Sequence, residues 1–197
     1  MPARRILQIS RIYDDCVKRI NEVDPRFICV VVYGQNVNAG TAAMSGATIF
    51  SKFVKKKGIK IPIGFIGSHV QALPYDSLKN EKSIDIVFSN EGVYALRNLL
   101  SQSDFKINSL KNVKGIGYRK DKKVILNLPE KLVPQERMDI DLPGYAWDLL
   151  PYNEKPFDLY RCPMWHAEYD HSTRTPYAAI FSSLGCQFRC EFCMINI

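Results

Sequence analysis

Between Ile12 and Val23 the apolar residues Ile12, Cys16, Ile20 and Val23 recur at three- and four-residue steps, which predicts an amphipathic helix closed by Asp24 and Pro25. The period then shortens. Phe27–Tyr33, FICVVVY, is an uninterrupted β-branched and aromatic run bounded by Pro25 and Gly34, the pattern of a strand covered on both faces. A polar, small-residue stretch, GQNVNAGTAAM, leads into a predicted helix from about Ala42 to Lys57, with Met44, Ile49, Phe53 and Val54 as its inward stripe, and Gly58 breaks it. Ile61–Ile66 reads as a second strand followed by the loop GSHVQALP. Ile84–Phe88 reads as a third, running into SNEG and a helix from Val93 to Leu100.

Strand, loop and helix in repetition predict a doubly wound, mostly parallel, Rossmann-like α/β sheet. In such a sheet the loops after the strand carboxyl ends open on one edge and form the ligand crevice. GQNVNAGT, GSHVQALP and SNEG occupy those positions. All three combine Gly, where a ligand can approach backbone, with Ser, Thr, Asn or His as hydrogen-bonding groups. Small polar residues also build ordinary turns, so one such loop says little; three in register point to a shared site. Gly115–Tyr118 and Val124–Leu128, on either side of RKDKK, predict an antiparallel hairpin that finishes the unit.

From Pro129 to Pro176 the character changes. Prolines recur, and Tyr145, Trp147, Tyr152, Phe157, Tyr160, Trp165 and Tyr169 make the segment too aromatic for a free linker, so it is expected to pack across a neighbouring surface. Tyr177–Phe181, YAAIF, reads as a new strand. A hydrophobic content of 46% with 24% charged residues over 197 positions is ordinary for a soluble globular protein. No apolar run is long enough to cross a bilayer and no secretory apolar region follows MPARR, so the cytoplasm is the expected location. The net charge of +7 raises the question of nucleic acid. Its two basic runs have simpler uses: Lys55–Lys57 closes a helix, where cations suit the dipole, and RKDKK occupies a turn. A solvated surface is expected there, and not a phosphate backbone.

A reducing compartment argues against a disulfide framework for Cys16, Cys29, Cys162, Cys186, Cys190 and Cys193. Cys29, inside FICVVV, reads as a small buried hydrophobe, and Cys16 and Cys162 have no partner close in sequence. The remaining trio is different, because Cys-x3-Cys-x2-Cys places three thiolates on one loop, a donor set suited to a soft metal centre. Zinc with Cys162, His166 or His171 as fourth ligand is one reading, although structural zinc favours ligand pairs on separate knuckles. A ferredoxin-type carrier would need a fourth Cys. His69, His166 and His171 otherwise read as ordinary hydrogen-bonding residues, His69 with some claim to the crevice. The stretch GCQFRCEFC, Gly185–Cys193, closely resembles the cluster loop of the radical S-adenosylmethionine superfamily. That resemblance implies that Cys186, Cys190 and Cys193 bind three irons of a [4Fe-4S] cluster and that S-adenosyl-L-methionine takes the fourth. Phe192 would lie beside its adenine.

The order of segments is similar to the amino-terminal half of cobalamin-binding radical S-adenosylmethionine proteins: GSHVQALP, IDIVFSNEG and KGIGYRKD in the α/β unit, LPGYAWDLLP in the bridge, SSLGC after the last strand. The resemblance implies a B12-binding-like domain at 1–128, an extended bridge at 129–176, and at 177–197 the start of a radical S-adenosylmethionine (β/α) barrel truncated just after its first loop. The first strand of the cobalamin domain is expected to be missing too. By the same resemblance Tyr33, Gly34, Asn38, Gly40 and Thr41, then Gly67, Ser68 and His69, then Asn90, Glu91 and Gly92 would line cobalamin. No Asp-x-His-x-x-Gly motif occurs, which leaves the lower cobalt ligand open. The implied activity is methyl transfer to an unactivated carbon of a small-molecule substrate, with a low-potential donor such as flavodoxin or ferredoxin and the fragment itself inactive. Beyond the cluster ligands no catalytic residue is identifiable. Two other readings stand beside it: a stand-alone cobalamin-binding module whose cysteine loop is vestigial or zinc-filled, and an RNA-modifying, methylthiotransferase-like radical enzyme.

Overall fold

The structure, a computed structural model, describes residues 2–32, 40–142, 144–149, 188, 190 and 191, with side chains from Ile12 to Val32 and from Ala43 onward. It divides into two units, one built on Met1–Val133 and the other Pro134–Cys190. The first unit holds a five-stranded sheet in the order β1 (Ile28–Val31), β2 (Ile63–Ile66), β3 (Ile86–Phe88), β4 (Ile116–Lys120) and β5 (Lys123–Leu126). β1, β2 and β3 are parallel, whereas β4 and β5 are antiparallel additions. The expected α/β class and its hairpin are therefore present. Among the described strands the order runs in one direction, so the reversal that marks a topological switch point does not fall among them. The hairpin turns on Asp121 and Lys122, both at positive φ (49° and 67°), the backbone twist that suits a two-residue connection.

Each face of the sheet has its own core. Ile63, Phe65 and Val87 pack with Met44 and Val54 of α2 (Gly40–Lys56), Val70 of α3 (Ser68–Ala72) and Leu78 of α4 (Pro74–Asn80). Ile66, Ile86, Phe88, Ile116 and Tyr118 pack on the other side with Ala95 and Leu99 of α5 (Val93–Leu100) and Leu110 of α6 (Ile107–Leu110). The side chain of Phe27 fills the space over Gly64, where a Cβ would stand 2.3 Å from its ring. Burying side chains of this size contributes roughly 1.5–3 kcal/mol each.

Several local expectations change. α1 (Pro2–Val23) turns Tyr13, Val17 and Ile20 inward, with Tyr13 5.5 Å from the rings of Phe50 and Phe53, while Ile12 and Val23 are exposed. In α2, Ile49 is exposed and the inward stripe includes Thr48 and Ser51. Both hydroxyls are satisfied: Thr48 donates to Ser45 O at 3.0 Å, Ser51 donates to Thr48 O at 3.1 Å, and Ser51 Oγ lies 2.8 Å from Ser83 Oγ. A buried hydroxyl with a partner is compatible with a core position, and apolar periodicity does not register it. GSHVQALP, read as a loop, folds into α3 and the start of α4.

β1 was expected to be covered on both faces, and among the described residues it is covered on one. It is the edge strand of the described sheet; Ile28 and Val30 pack into the core, while Cys29 and Val31 are exposed, Val31 by 64%. The outward face of Cys29 corrects its reading as a buried hydrophobe, although local desolvation still pushes its thiol up to about 11.

On the sheet edge where β2 and β3 begin, Asp85 Oδ2 accepts from Lys55 Nζ at 2.7 Å and from Ile63 N at 2.8 Å. Arg119 donates there to the carbonyls of Leu78, at 2.8 Å, and Ile84. In the second unit, a 3-10 turn (Gln135–Arg137) leads into α7 (Met138–Asp141), where Arg137 and Asp141 pair at 3.0 Å, and a further 3-10 turn spans Trp147–Leu149. Among the described residues no helix is long and apolar enough to cross a membrane.

Candidate functional site

Because β1, β2 and β3 are parallel, Val32, Gly67 and Ser89 leave the sheet on one edge. β4 starts from that edge and β5 returns to it, which adds Gly115 and Leu128. The edge is sewn together through backbone: Val32 N donates to Ile66 O at 2.6 Å, Ser89 N to Gly115 O at 3.0 Å, and Gly115 N to Leu128 O at 2.8 Å. The loops after β2 and β3 therefore leave the sheet on one edge, and Val32 leaves it on the same edge; residues 33–39 of the loop after β1 lie outside the described residues.

Gly67 is the tightest point. Its φ is 146°, and a Cβ there would stand 2.2 Å from Val32 O, a backbone atom that cannot swing aside. A glycine there lets the connection after β2 pass directly against the Val32 backbone, and the residue is buried. The adjacent Ser68 Oγ is buried and has no hydrogen-bond partner among the described residues. An orphaned buried hydroxyl costs about 1–3 kcal/mol, so its lone pairs and proton stand ready for a polar partner. His69 is half-buried and its backbone carbonyl accepts from Leu73 N at 2.9 Å.

The β3–α5 connection is built differently. Gly92 (φ 80°) caps α5 and donates to Asn90 Oδ1 at 2.9 Å, a local turn that holds the loop. Asn90, buried, donates from Nδ2 to Glu130 O at 3.0 Å. Glu91 Oε1 accepts from Val133 N at 2.9 Å. Their side chains thus engage the segment that follows β5. Asn98 on α5 joins them, donating from Nδ2 to Glu130 Oε2 at 2.8 Å. Asn98 and Glu130 had carried no signal, since nothing in a periodicity marks a pairing between residues so distant in sequence. Gly115 could have been found from the Gly that precedes β4: its φ is 73°, and a Cβ would stand 2.8 Å from Glu130 Cβ.

No family model matches the chain. Over 185 residues it is 26% identical to an uncharacterized methyltransferase, PH0819, of Pyrococcus horikoshii, a match that covers 94% of this chain and 35% of that protein. The chain thus spans about a third of the length of the curated relative it matches.

Of the other residues singled out, Gly40 and Thr41 open α2, while Tyr33, Gly34 and Asn38 lie outside the described residues. Cys190 is described and exposed; Cys186, Cys193 and Phe192 lie outside. Among the described residues no group of three His, Cys, Asp or Glu side chains could hold a metal. A shallow cavity of about 370 Å³ between α5 and the α6–β4 connection is lined by Asn98, Gln102, Asn112, Lys114 and Glu130. Its amides are already engaged: Asn98 with Glu130, Gln102 with Asn98 O at 3.0 Å, Asn112 with Asn108 O at 3.4 Å. The rim at Gly67 and Ser68, whose hydroxyl has no partner among the described residues, is the better candidate.

Proposed function

We propose that this chain belongs to a cobalamin-dependent radical S-adenosylmethionine methyltransferase and carries its α/β cobalamin unit and its cluster loop. The observation that carries the reading is the Cys186-x3-Cys190-x2-Cys193 loop placed after an α/β unit. Methyl transfer draws support from the similarity to a protein named as a methyltransferase along almost the whole chain. The described rim is compatible with a polar ligand: the Ser68 hydroxyl has no hydrogen-bond partner among the described residues. The cluster would supply the electron that opens the sulfonium of S-adenosyl-L-methionine, and cobalamin would carry the methyl group. In this reading Cys186, Cys190 and Cys193 hold the metal, Phe192 flanks the adenine, and Gly67, Ser68 and His69 line the corrin. Substrate and electron donor, a flavodoxin or ferredoxin in this reading, belong to the proposal in full.

The test is anaerobic reconstitution with iron, sulfide and hydroxocobalamin, followed by metal analysis. About four irons and one cobalt per chain are expected, and Cys190→Ala should abolish the visible absorption of the cluster. Retention of about four irons by that variant would refute the cluster assignment. Iron without cobalt would remove cobalamin from the proposal, and zinc alone would overturn it from the cysteines upward.

A further inference from the structure

The segment after β5 has no regular secondary structure from Asn127 to Pro134, yet it is held at nearly every second residue. Leu128 O accepts from Gly115 N at 2.8 Å, Glu130 O accepts from Asn90 Nδ2 at 3.0 Å, and Val133 N donates to Glu91 Oε1 at 2.9 Å. Between them Glu130 Oε2 accepts from Asn98 at 2.8 Å, and the Lys131 ammonium lies 5.4 Å from the centre of the buried Tyr94 ring. Asn90, Glu91, Tyr94 and Asn98 all come from the β3–α5 connection or from α5. That connection lines the candidate rim, and the segment it holds leaves the first unit at Val133.

We infer that Asn90 and Glu91 form a latch: they are positioning residues that fix where the chain departs from the α/β unit, and neither is a ligand contact. The inference rests on the proposed function for its consequence, because the departing segment precedes the cysteine loop in the sequence. Asn90 uses both ends of its amide, Oδ1 on Gly92 N and Nδ2 on Glu130 O, so swinging its side chain out to a ligand would release the turn and the segment together. Glu91 supplies the acceptor for Val133 N, a backbone group with no helix or strand partner. A ligand that displaces the 89–92 turn must therefore also loosen residues 130–133.

Glu91→Ala and Glu91→Gln separate the two roles, since glutamine keeps the acceptor oxygen. In the intact chain, tryptic cleavage after Lys131 is timed against cleavage in the exposed Lys120–Lys123 turn, and hydroxocobalamin affinity is measured in parallel. The latch predicts that Glu91→Ala raises cleavage after Lys131 at least about fivefold relative to the turn, that Glu91→Gln stays within about twofold of wild type, and that both bind hydroxocobalamin within about twofold of wild type, a loss near 1.4 kcal/mol being tenfold. Unchanged cleavage with a tenfold loss of affinity would overturn it and make Glu91 a ligand contact. If the unaltered chain does not bind hydroxocobalamin, the proposed function falls while the proteolysis still decides the latch.

Discussion

Among the described glycines, Gly67 is the one where an added methyl group should cost most. A non-glycine residue held at such backbone angles carries about 1–3 kcal/mol of strain. The new Cβ would also be driven to within 2.2 Å of Val32 O, and relief requires β1 to move away from β2, which gives up the Val32 N to Ile66 O bond, worth about 1 kcal/mol net. Together these amount to about 2–4 kcal/mol, a large share of the roughly 5–15 kcal/mol that stabilises a typical domain. At a urea dependence of about 2 kcal/mol/M, the unfolding midpoint followed by circular dichroism should fall by roughly 1–2 M. Gly46→Ala is the control. Gly46 lies inside α2 with nothing within 4 Å of its Cβ position, so alanine there should stabilise by about 0.5–1 kcal/mol. If Gly67→Ala unfolds within about 1 kcal/mol of wild type, the rim is not closed by backbone and the reasoning fails.

Ser51→Ala leaves Ser83 Oγ without the partner it has at 2.8 Å and should destabilise by about 1–2 kcal/mol, while the Ser51→Ala/Ser83→Ala double variant should recover part of that loss; additive losses in chemical denaturation would exclude the pair as a unit. Cys29, with its thiol raised to about 11, should alkylate slowly at pH 8 and ever faster through pH 10, as mapped by mass spectrometry on the tryptic peptide that follows Arg26. The protonated thiol is the form the fold favours, so this residue's contribution to stability is full below the ordinary thiol value of 9 and is lost as the pH rises towards 11. A reaction rate that levels off by pH 9 would show an ordinary thiol.

What could be read from sequence was the succession of elements; what could not was their arrangement across the chain. FICVVVY, IPIGFI and IDIVF are dense enough in β-branched residues to declare strands, and Asp121–Lys122 declares a turn by its neighbours. The sense of winding depends on which strands pair, and pairing leaves no local trace. Inward faces were misassigned where a polar side chain found a partner: Thr48 and Ser51 sit in the core because the Ser45 and Thr48 carbonyls accept from them. Exposure of Cys29 and Val31 was hidden for the opposite reason, since an apolar edge strand has the composition of a central one. At the candidate site, Gly67 was legible as a glycine after a strand, and Ser68 as its polar neighbour. The commitment of Asn90 and Glu91 to residues 130 and 133 was not, because it joins positions some forty residues apart.

The Asp121–Lys122 turn bears on how this protein can be handled. β4 starts at the candidate rim and runs away from it, so the turn lies at the opposite end of the hairpin, with Lys120, Asp121, Lys122 and Lys123 all exposed. Arg119, just before it, is tied to the Leu78 and Ile84 carbonyls and keeps β4 in place. An opening made between Asp121 and Lys122 would join no packed surface and touch no rim residue. It is where an affinity peptide, a fluorophore or new chain termini can be installed while the rim stays free for its ligand.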